Sequence, residues 1–333
     1  MIAVIGGGLI GSCVAFELKH AGEDVLVFDA DLPGAAWRAG AGLLTPSGER
    51  LGGTALEAAA KHSLSLWPDF ARRLESASGQ NVGFRSGVYR IALNDNEAKE
   101  LEVDRDGEPC VPPMPHLKGA RFHADEGCVH PPSIRTAALV GQDIERSRVE
   151  SLEPTHAGVR IHTETATFEA RIAVLCCGAW SSRFGLPVYA MQGQALLLDG
   201  SPDTPSLYGL PQSGASQYAL GRRDGVYIGA TVRETTTEAT YPDSEATLAL
   251  RRKAQLLLGA EKANAPAIKQ LVGFRPTTPD GLPIIGPHPH LDNVLVATGH
   301  SRHGVLLAPF TAQRVLTQVQ EMMKQSSLLK VAA

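Results

Sequence analysis

The chain opens on a strand–turn–helix signature that constrains everything downstream. Ile2-Ala3-Val4-Ile5 is a short apolar run that predicts a buried strand, and it passes directly into Gly6-Gly7-Gly8-Leu9-Ile10-Gly11. A G-x-G-x-x-G turn at that junction uses each glycine differently. Gly6 permits the tight turn, Gly8 lets backbone approach a pyrophosphate, and Gly11 lets the helix pack closely on the strand. The helix N-terminus then holds the phosphate charge. Ala15 and Leu18 carry the sheet-facing side of that helix, Gly22 stops it, and Val25-Leu26-Val27-Phe28 supplies a second strand ending at Asp29. A carboxylate about twenty residues beyond the glycines accepts hydrogen bonds from a ribose diol and repels a 2′-phosphate. The unit therefore predicts FAD or NAD and excludes NADP.

At 333 residues the chain is long enough for two domains and a large core. Its net charge of -4 argues against a nucleic-acid or membrane-surface partner, because phosphate binding rests on Lys and Arg. No apolar run is long enough to span a bilayer, and the N-terminus lacks a basic leader, so a cytoplasmic location is expected. The five cysteines, Cys13, Cys110, Cys128, Cys176 and Cys177, have no metal-ligand spacing and read as reduced thiols. His288-Pro289-His290 lies in a proline-rich turn without a supporting acidic or cysteine pattern, so no metal site is expected.

Beyond Asp29, the run Ala35-Ala36-Trp37-Arg38-Ala39-Gly40-Ala41-Gly42-Leu43-Leu44 is rich in small residues, which lets backbone lie against something flat or bulky. The spacing of Ala59, Leu64, Leu66, Trp67, Phe70 and Leu74 predicts a helix over 55–76, with Pro68 as a point where it would kink or split. Gly87–Leu93 predicts a strand opening an inserted, proline-rich lobe. Ser133 is the expected cap of a helix running through Ala137 and Leu139. Three short strands, 149–153, 159–162 and 167–170, predict a small antiparallel meander. Ile172–Cys177 then reads as a buried strand stopping at Gly178. Parallel sheets bind ligands at such strand ends, so Gly178 to Trp180 is a second expected cofactor contact. Residues 192–231 are strand-rich with tight turns and predict an antiparallel substrate lobe that contains Tyr218. A helix is expected over 244–258.

The C-terminal region carries Gly273-Phe274-Arg275-Pro276-Thr277-Thr278-Pro279-Asp280-Gly281-Leu282-Pro283-Ile284-Ile285-Gly286, then Ala297-Thr298-Gly299-His300-Ser301-Arg302-His303-Gly304-Val305-Leu306-Leu307-Ala308-Pro309. A buried strand, 294–297, breaks at Gly299 and gives way to a helix near Gly304. The free N–H groups of that helix suit an anion or the electron-rich edge of a reduced flavin. Arg275 and Arg302 flank the loop, and arginine grips a carboxylate through two parallel hydrogen bonds. A last helix, 311–324, turns Val315, Val319, Met322 and Met323 toward the core.

Together, the N-terminal fingerprint and these two C-terminal segments resemble the D-amino acid oxidase superfamily, and within it the glycine oxidases of bacterial thiazole synthesis. The likeness spans nearly the whole chain. It implies an α/β fold with a Rossmann-like FAD-binding domain on a parallel sheet and an antiparallel β-rich substrate domain. The FAD-binding domain would comprise 1–80, 130–187 and 270–333, and the substrate domain 81–129 and 188–269. Noncovalent FAD would lie against Gly6, Gly8, Leu9, Ile10 and Gly11, with Asp29 and Ala30 at the ribose. Ala41, Gly42 and Leu43 come from the small-residue loop, Val149 from the adenine side, and His300, Ser301, Arg302, His303, Gly304, Val305 and Leu306 from the wrap around the isoalloxazine. Arg275 matches the arginine that binds the substrate carboxylate, Tyr218 the accompanying tyrosine, and Arg302 a second anchor.

The resemblance implies oxidation of a small amino acid at Cα to an imine, then to a 2-oxo acid and ammonia, with O2 giving H2O2. A dehydrogenase of D-amino acids or N-substituted glycines that uses another acceptor remains open, as does a homo-oligomer. Two departures bear on substrate. Trp37 and Arg38 stand where small or hydroxylated residues are usual, and Val232 replaces a methionine of the glycine oxidase pocket. Gly273-Phe274 carries no cysteine of the kind that links flavin covalently in sarcosine oxidases.

Overall fold

The computed structural model describes residues 1–104, 106–212 and 215–332, with side chains of 210–212, 215–216 and 326–332 left aside. Its first sheet runs in the order Ile284–Pro287, Val294–Thr298, Ile172–Leu175, Ile2–Ile5, Val25–Phe28 and Asp143–Glu145. The pairings are parallel except at the edge, where Ile284–Pro287 runs antiparallel to its neighbour. The central strands Ile2–Ile5 and Ile172–Leu175 are buried at every position, as expected for strands covered on both faces. One face packs against the helices Leu9–His20, Glu57–Ser78 and Gly304–Ala332, joining Val4, Leu18, Trp67, Phe70, Leu74, Val315 and Val319 in one core. On the other face, the predicted meander is present as Val149–Thr155, Gly158–Thr163 and Thr167–Ala170. Its Val159 and Ile161 cover Ala173 and Leu175.

The second sheet is larger. Its path runs Arg233–Thr235, Tyr189–Leu198, Gly225–Gly229, Ala215–Arg222, Leu207–Gln212, Arg85–Ala92, Gly119–Cys128 and Leu43–Leu44, with Ala267–Thr277 also paired to Tyr189–Leu198. It is antiparallel apart from one parallel pair that joins Leu207–Gly209 to Tyr89–Ile91. The expected antiparallel β-rich lobe is thus present, and its one parallel pair arises where the chain returns to this sheet after the long connection from Cys128 to Tyr189 through the first. The helix Ser244–Leu258 agrees with the expected bounds and buries Leu250, Ala254 and Leu257 against this sheet.

Three local expectations need correction. The helix Glu57–Ser78 continues through Pro68 without splitting, since Trp67, Phe70 and Leu74 are locked in the core and outweigh a penalty of about 3 kcal/mol for an interior proline. Ser133 does not cap its helix: Pro131 starts it, as fits proline's fixed φ and missing N–H, and the Ser133 hydroxyl instead meets His130 Nδ1 at 2.7 Å. The helix near Gly304 and the final helix are one element, Gly304–Ala332, with Pro309 inside it. Proline leaves that turn's ladder incomplete. One residue on from the Val305 carbonyl that it leaves without a helical donor, Ser63 Oγ and Trp67 Nε1 donate to the Leu306 carbonyl at 2.6 and 3.0 Å, and Phe310 N–H donates to Ser63 Oγ.

Candidate active site

A cavity of about 520 Å³ runs from the glycine turn of the first sheet to the inner strands of the second. At the first end, Gly6 sits at φ +103° and a Cβ there would strike the Cys176 carbonyl; one at Gly11 would strike the Gly6 carbonyl. The helix Leu9–His20 begins at Gly8 with no side-chain cap, so its first N–H groups remain available at the cavity wall formed by Gly6, Gly8, Leu9 and Ile10. Gly11 lies beneath this wall, where it lets the helix approach the strand.

Asp29 and Ala30 line the same end, and Asp29 is not isolated. Its Oδ2 accepts from Arg135 Nη2 at 2.6 Å and its Oδ1 accepts from the Asp31 amide at 3.1 Å. Arg135 also donates through Nε to the Gly7 carbonyl at 2.6 Å, so one guanidinium ties the glycine turn to the end of the second strand. The Trp37 ring takes Arg135 at 4.5 Å and Arg38 at 4.4 Å from its centroid, and Arg38 pairs with Asp31 at 2.5 Å. Ala41, Gly42 and Leu43 line the wall opposite, with Gly42 at φ +98° pressed against the Val129 carbonyl. Val149 and Ser147 lie on the remaining wall, and the Ser147 hydroxyl is buried without a partner among the described residues.

Midway, Gly178 and Trp180 line the cavity beyond the strand Ile172–Leu175. The Gly178 carbonyl accepts from the Ser181 and Thr298 hydroxyls, which joins this loop to the C-terminal one. His300 to Val305 form the facing wall. His300 Nε2 meets the Thr311 hydroxyl at 2.9 Å, and burial lowers its pKa to about 3; burial and Arg302 lower that of His303 to about 4. Both rings are therefore neutral near pH 7. The Nδ1 atoms of both are buried without hydrogen-bond partners among the described residues. Leu306 does not reach the cavity. Its side chain is in the helical core and its carbonyl serves Ser63 and Trp67.

At the far end stand Arg275 and Tyr218. Arg275, on the strand Ala267–Thr277, donates to the Thr231 carbonyl at 3.2 Å, and it lies over Gly193, where a Cβ would collide with the guanidinium. Tyr218 pairs across its strand with Gly229 and hydrogen-bonds Arg275. Its phenol is raised above the ordinary value by burial, an effect that Arg275 opposes. Three tyrosine rings stack here: Tyr218 lies 5.7 Å from Tyr208 and 6.1 Å from Tyr227. The Tyr227 hydroxyl donates to the Ala39 carbonyl at 2.7 Å. Arg302 meets Glu49 Oε2 through Nε at 2.5 Å, so the expected second anchor already holds a carboxylate. Glu49, Tyr208, Tyr227 and Arg135 carried no sequence signal: the tyrosines sit in ordinary strand alternation, and nothing around Glu49 forms a motif.

Comparison with known proteins agrees with this geometry. The family model for FAD dependent oxidoreductases of the DAO type matches residues 1–318. The chain belongs to that family. It is 30% identical to the glycine oxidase of Bacillus licheniformis, an alignment covering 95% of this chain and 92% of that one. It is 31% identical to the bifunctional ThiO/ThiG protein of Trichormus variabilis over 96% of this chain, which spans about half, 52%, of that relative's length. The crystal structure of glycine oxidase from Geobacillus kaustophilus superposes with a TM-score of 0.84 at 26% identity, covering 96% of this chain and 94% of the other. Among the described residues, no helix is long and apolar enough to cross a membrane.

The cavity fits FAD on its own terms. Glycines crowd backbone where a pyrophosphate must approach, uncapped helix N–H groups face it, and a carboxylate stands at the end of the second strand. The cavity then continues to a charged, aromatic end at Arg275, Tyr218 and Tyr227.

Proposed function

We propose that this protein is an FAD-dependent oxidase of glycine or another small amine-bearing amino acid, acting in the cytoplasm. The observation that carries the reading is Arg275: it holds no acidic partner within ion-pair distance among the described residues, yet it faces a cavity lined with aromatic rings. A guanidinium so placed calls for a carboxylate from the ligand. The glycine oxidase relatives support the choice of amino acid.

Arg275 and the Tyr218 hydroxyl clamp the substrate carboxylate and so fix the position of Cα. The stacked tyrosines exclude water from that end, which strengthens the clamp. FAD held against Gly6 to Ile10 and Asp29 would supply the redox chemistry, a two-electron oxidation at Cα with O2 as final acceptor and H2O2 as its product. No side chain need take a proton if the substrate enters as the neutral amine. The imine product would hydrolyse to a 2-oxo acid and ammonia or, from glycine, be used in thiazole assembly. FAD is held noncovalently on this reading. Cys176 and Cys177 line the cavity, but burial raises both thiols, Cys177 to about 12, so neither is a ready thiolate. The segments 1–80, 130–187 and 270–333 would hold the cofactor, and 81–129 and 188–269 the substrate.

The test is to add glycine, sarcosine and D-alanine separately to the purified yellow protein without oxygen. Bleaching at 450 nm by one of them, with H2O2 on admitting air, is the expected result. A flavin that none of them reduces would overturn the reading.

A further inference from the structure

We infer that Glu49 makes the substrate end a charge filter that admits amines carrying one carboxylate and turns away those carrying two. The inference rests on the amino-acid reading above and specifies its substrate class. Three charged side chains line this end of the cavity: Arg275, Arg302 and Glu49. The Glu49 carboxylate is buried to 14% exposure and spans between Arg302 Nε, at 2.5 Å from Oε2, and the Tyr208 hydroxyl, at 3.2 Å from Oε1. Tyr208 stacks on Tyr218, and Tyr218 hydrogen-bonds Arg275, so the acid and both arginines share one continuous wall. His303 stands 3.8 Å from Glu49 and is neutral near pH 7, so it adds no charge.

With Glu49 matching Arg302, one positive charge is left for the ligand. A single carboxylate on Arg275 matches the charge left in the cavity wall itself, while Lys253 stands behind that wall and donates to the Ala230 carbonyl at 2.8 Å. A second carboxylate would have to sit beside Glu49 in a partly dry pocket, where like charges repel strongly, or displace it from Arg302. Glu49 is poorly placed to move away. Its loop is tied down by Glu126, whose two oxygens accept from the Thr45 hydroxyl at 2.5 Å and the Ser47 amide at 2.7 Å, while the Glu49 amide donates to the Thr45 carbonyl at 3.0 Å. Burial raises both glutamates above the ordinary carboxylate value, yet Arg302 opposes the shift at Glu49 and favours its charged form.

The matched probes are iminodiacetate and its monoamide, which share size and shape and differ by one charge. In the wild-type holoenzyme, kcat/KM for the monoamide should exceed that for iminodiacetate at least about tenfold, roughly 1.4 kcal/mol. In Glu49→Gln the ratio should fall about tenfold or more, through a gain on iminodiacetate. Arg302→Gln should move it the other way, and this second variant keeps the idea testable if Glu49→Gln does not fold. Calorimetric binding of both probes to the holoprotein gives the same comparison without turnover. If wild type oxidises glycine or sarcosine but the ratio is unmoved in both variants, the filter is refuted and the oxidase reading stands. If wild type oxidises no amine, the oxidase reading fails, and equal binding of the two probes would refute the filter separately.

Discussion

The two ends of the cavity are built by different means. The dinucleotide end is built around one continuous stretch, a strand, three glycines, an uncapped helix start and an acid at the next strand end, all within residues 2–29, with 41–43 and 147–149 adding the remaining walls. The amino-acid end is made of side chains from places far apart in sequence. Glu49 meets Arg302, Tyr208 stacks on Tyr218, and Arg275 rests over Gly193. The glycine turn tolerates little change at Gly6 and Gly11, where a Cβ would strike a backbone carbonyl. Side-chain sites tolerate exchange of fold neighbours but not of charge. The difference predicts that mutations at the two ends separate into loss of cofactor and loss of turnover.

The broadest effect is expected at Gly11, where the cofactor itself is lost. Gly11→Val drives a side chain into the Gly6 carbonyl, and overpacking of this kind costs about 1–3 kcal/mol or more. The purified variant should be colourless, with FAD affinity down by about a hundredfold or more in apoprotein titration. Next comes Arg275→Leu, which should retain full yellow colour while kcat/KM for the preferred amino acid falls about a thousandfold, as for truncation of a buried charged partner worth roughly 4 kcal/mol. A variant that loses flavin instead would break the separation. Arg135→Gln sharpens it from the other side. Loss of the bridge between the Gly7 carbonyl and Asp29 should weaken FAD about tenfold, near the 1.5–3 kcal/mol of a charged hydrogen bond, and leave KM for the amino acid unchanged.

A further effect, read in stability and not in activity, is expected at acid pH. His300 and His303 have pKa values lowered to about 3 and about 4, below their unfolded value of 6.5, so the unfolded chain binds more protons between these limits. Their contribution is fully present above pH 6.5 and is lost as pH falls toward 4. Glu49 and Glu126, raised by burial, act in the opposite sense around the carboxylate range and flatten the profile there. Urea midpoints measured from pH 7.5 to 5 should therefore fall, and the slope should be shallower in His300→Gln by up to one proton. An unchanged slope would show that His300 is not held neutral by burial.

The same contrast explains how much could be read from the sequence. The dinucleotide unit, the meander, the helix Ser244–Leu258 and the pairing of Arg275 with Tyr218 follow from local pattern or from the family likeness. Leu306 falls outside the cavity because its side chain turns into the helical core and its carbonyl serves Ser63 and Trp67, contacts between residues more than two hundred positions apart that no local pattern shows. Ser133 looked like a cap because capping propensity cannot see that two prolines, Pro131 and Pro132, had already begun the helix. Glu49 and Arg135 were silent for a simpler reason. A lone acid in a loop and a lone arginine on a helix read as solvated charge, and only the fold brings them to Arg302 and to Asp29.

The most direct test of a cavity divided between backbone and side-chain ends is a crystal structure of the yellow protein with glycolate, a carboxylate that lacks the reacting amine. The expected result is the FAD pyrophosphate against Gly6 to Ile10 and the glycolate carboxylate on Arg275 and the Tyr218 hydroxyl, with Glu49 still on Arg302. Glycolate bound elsewhere, with Arg275 untouched, would contradict it.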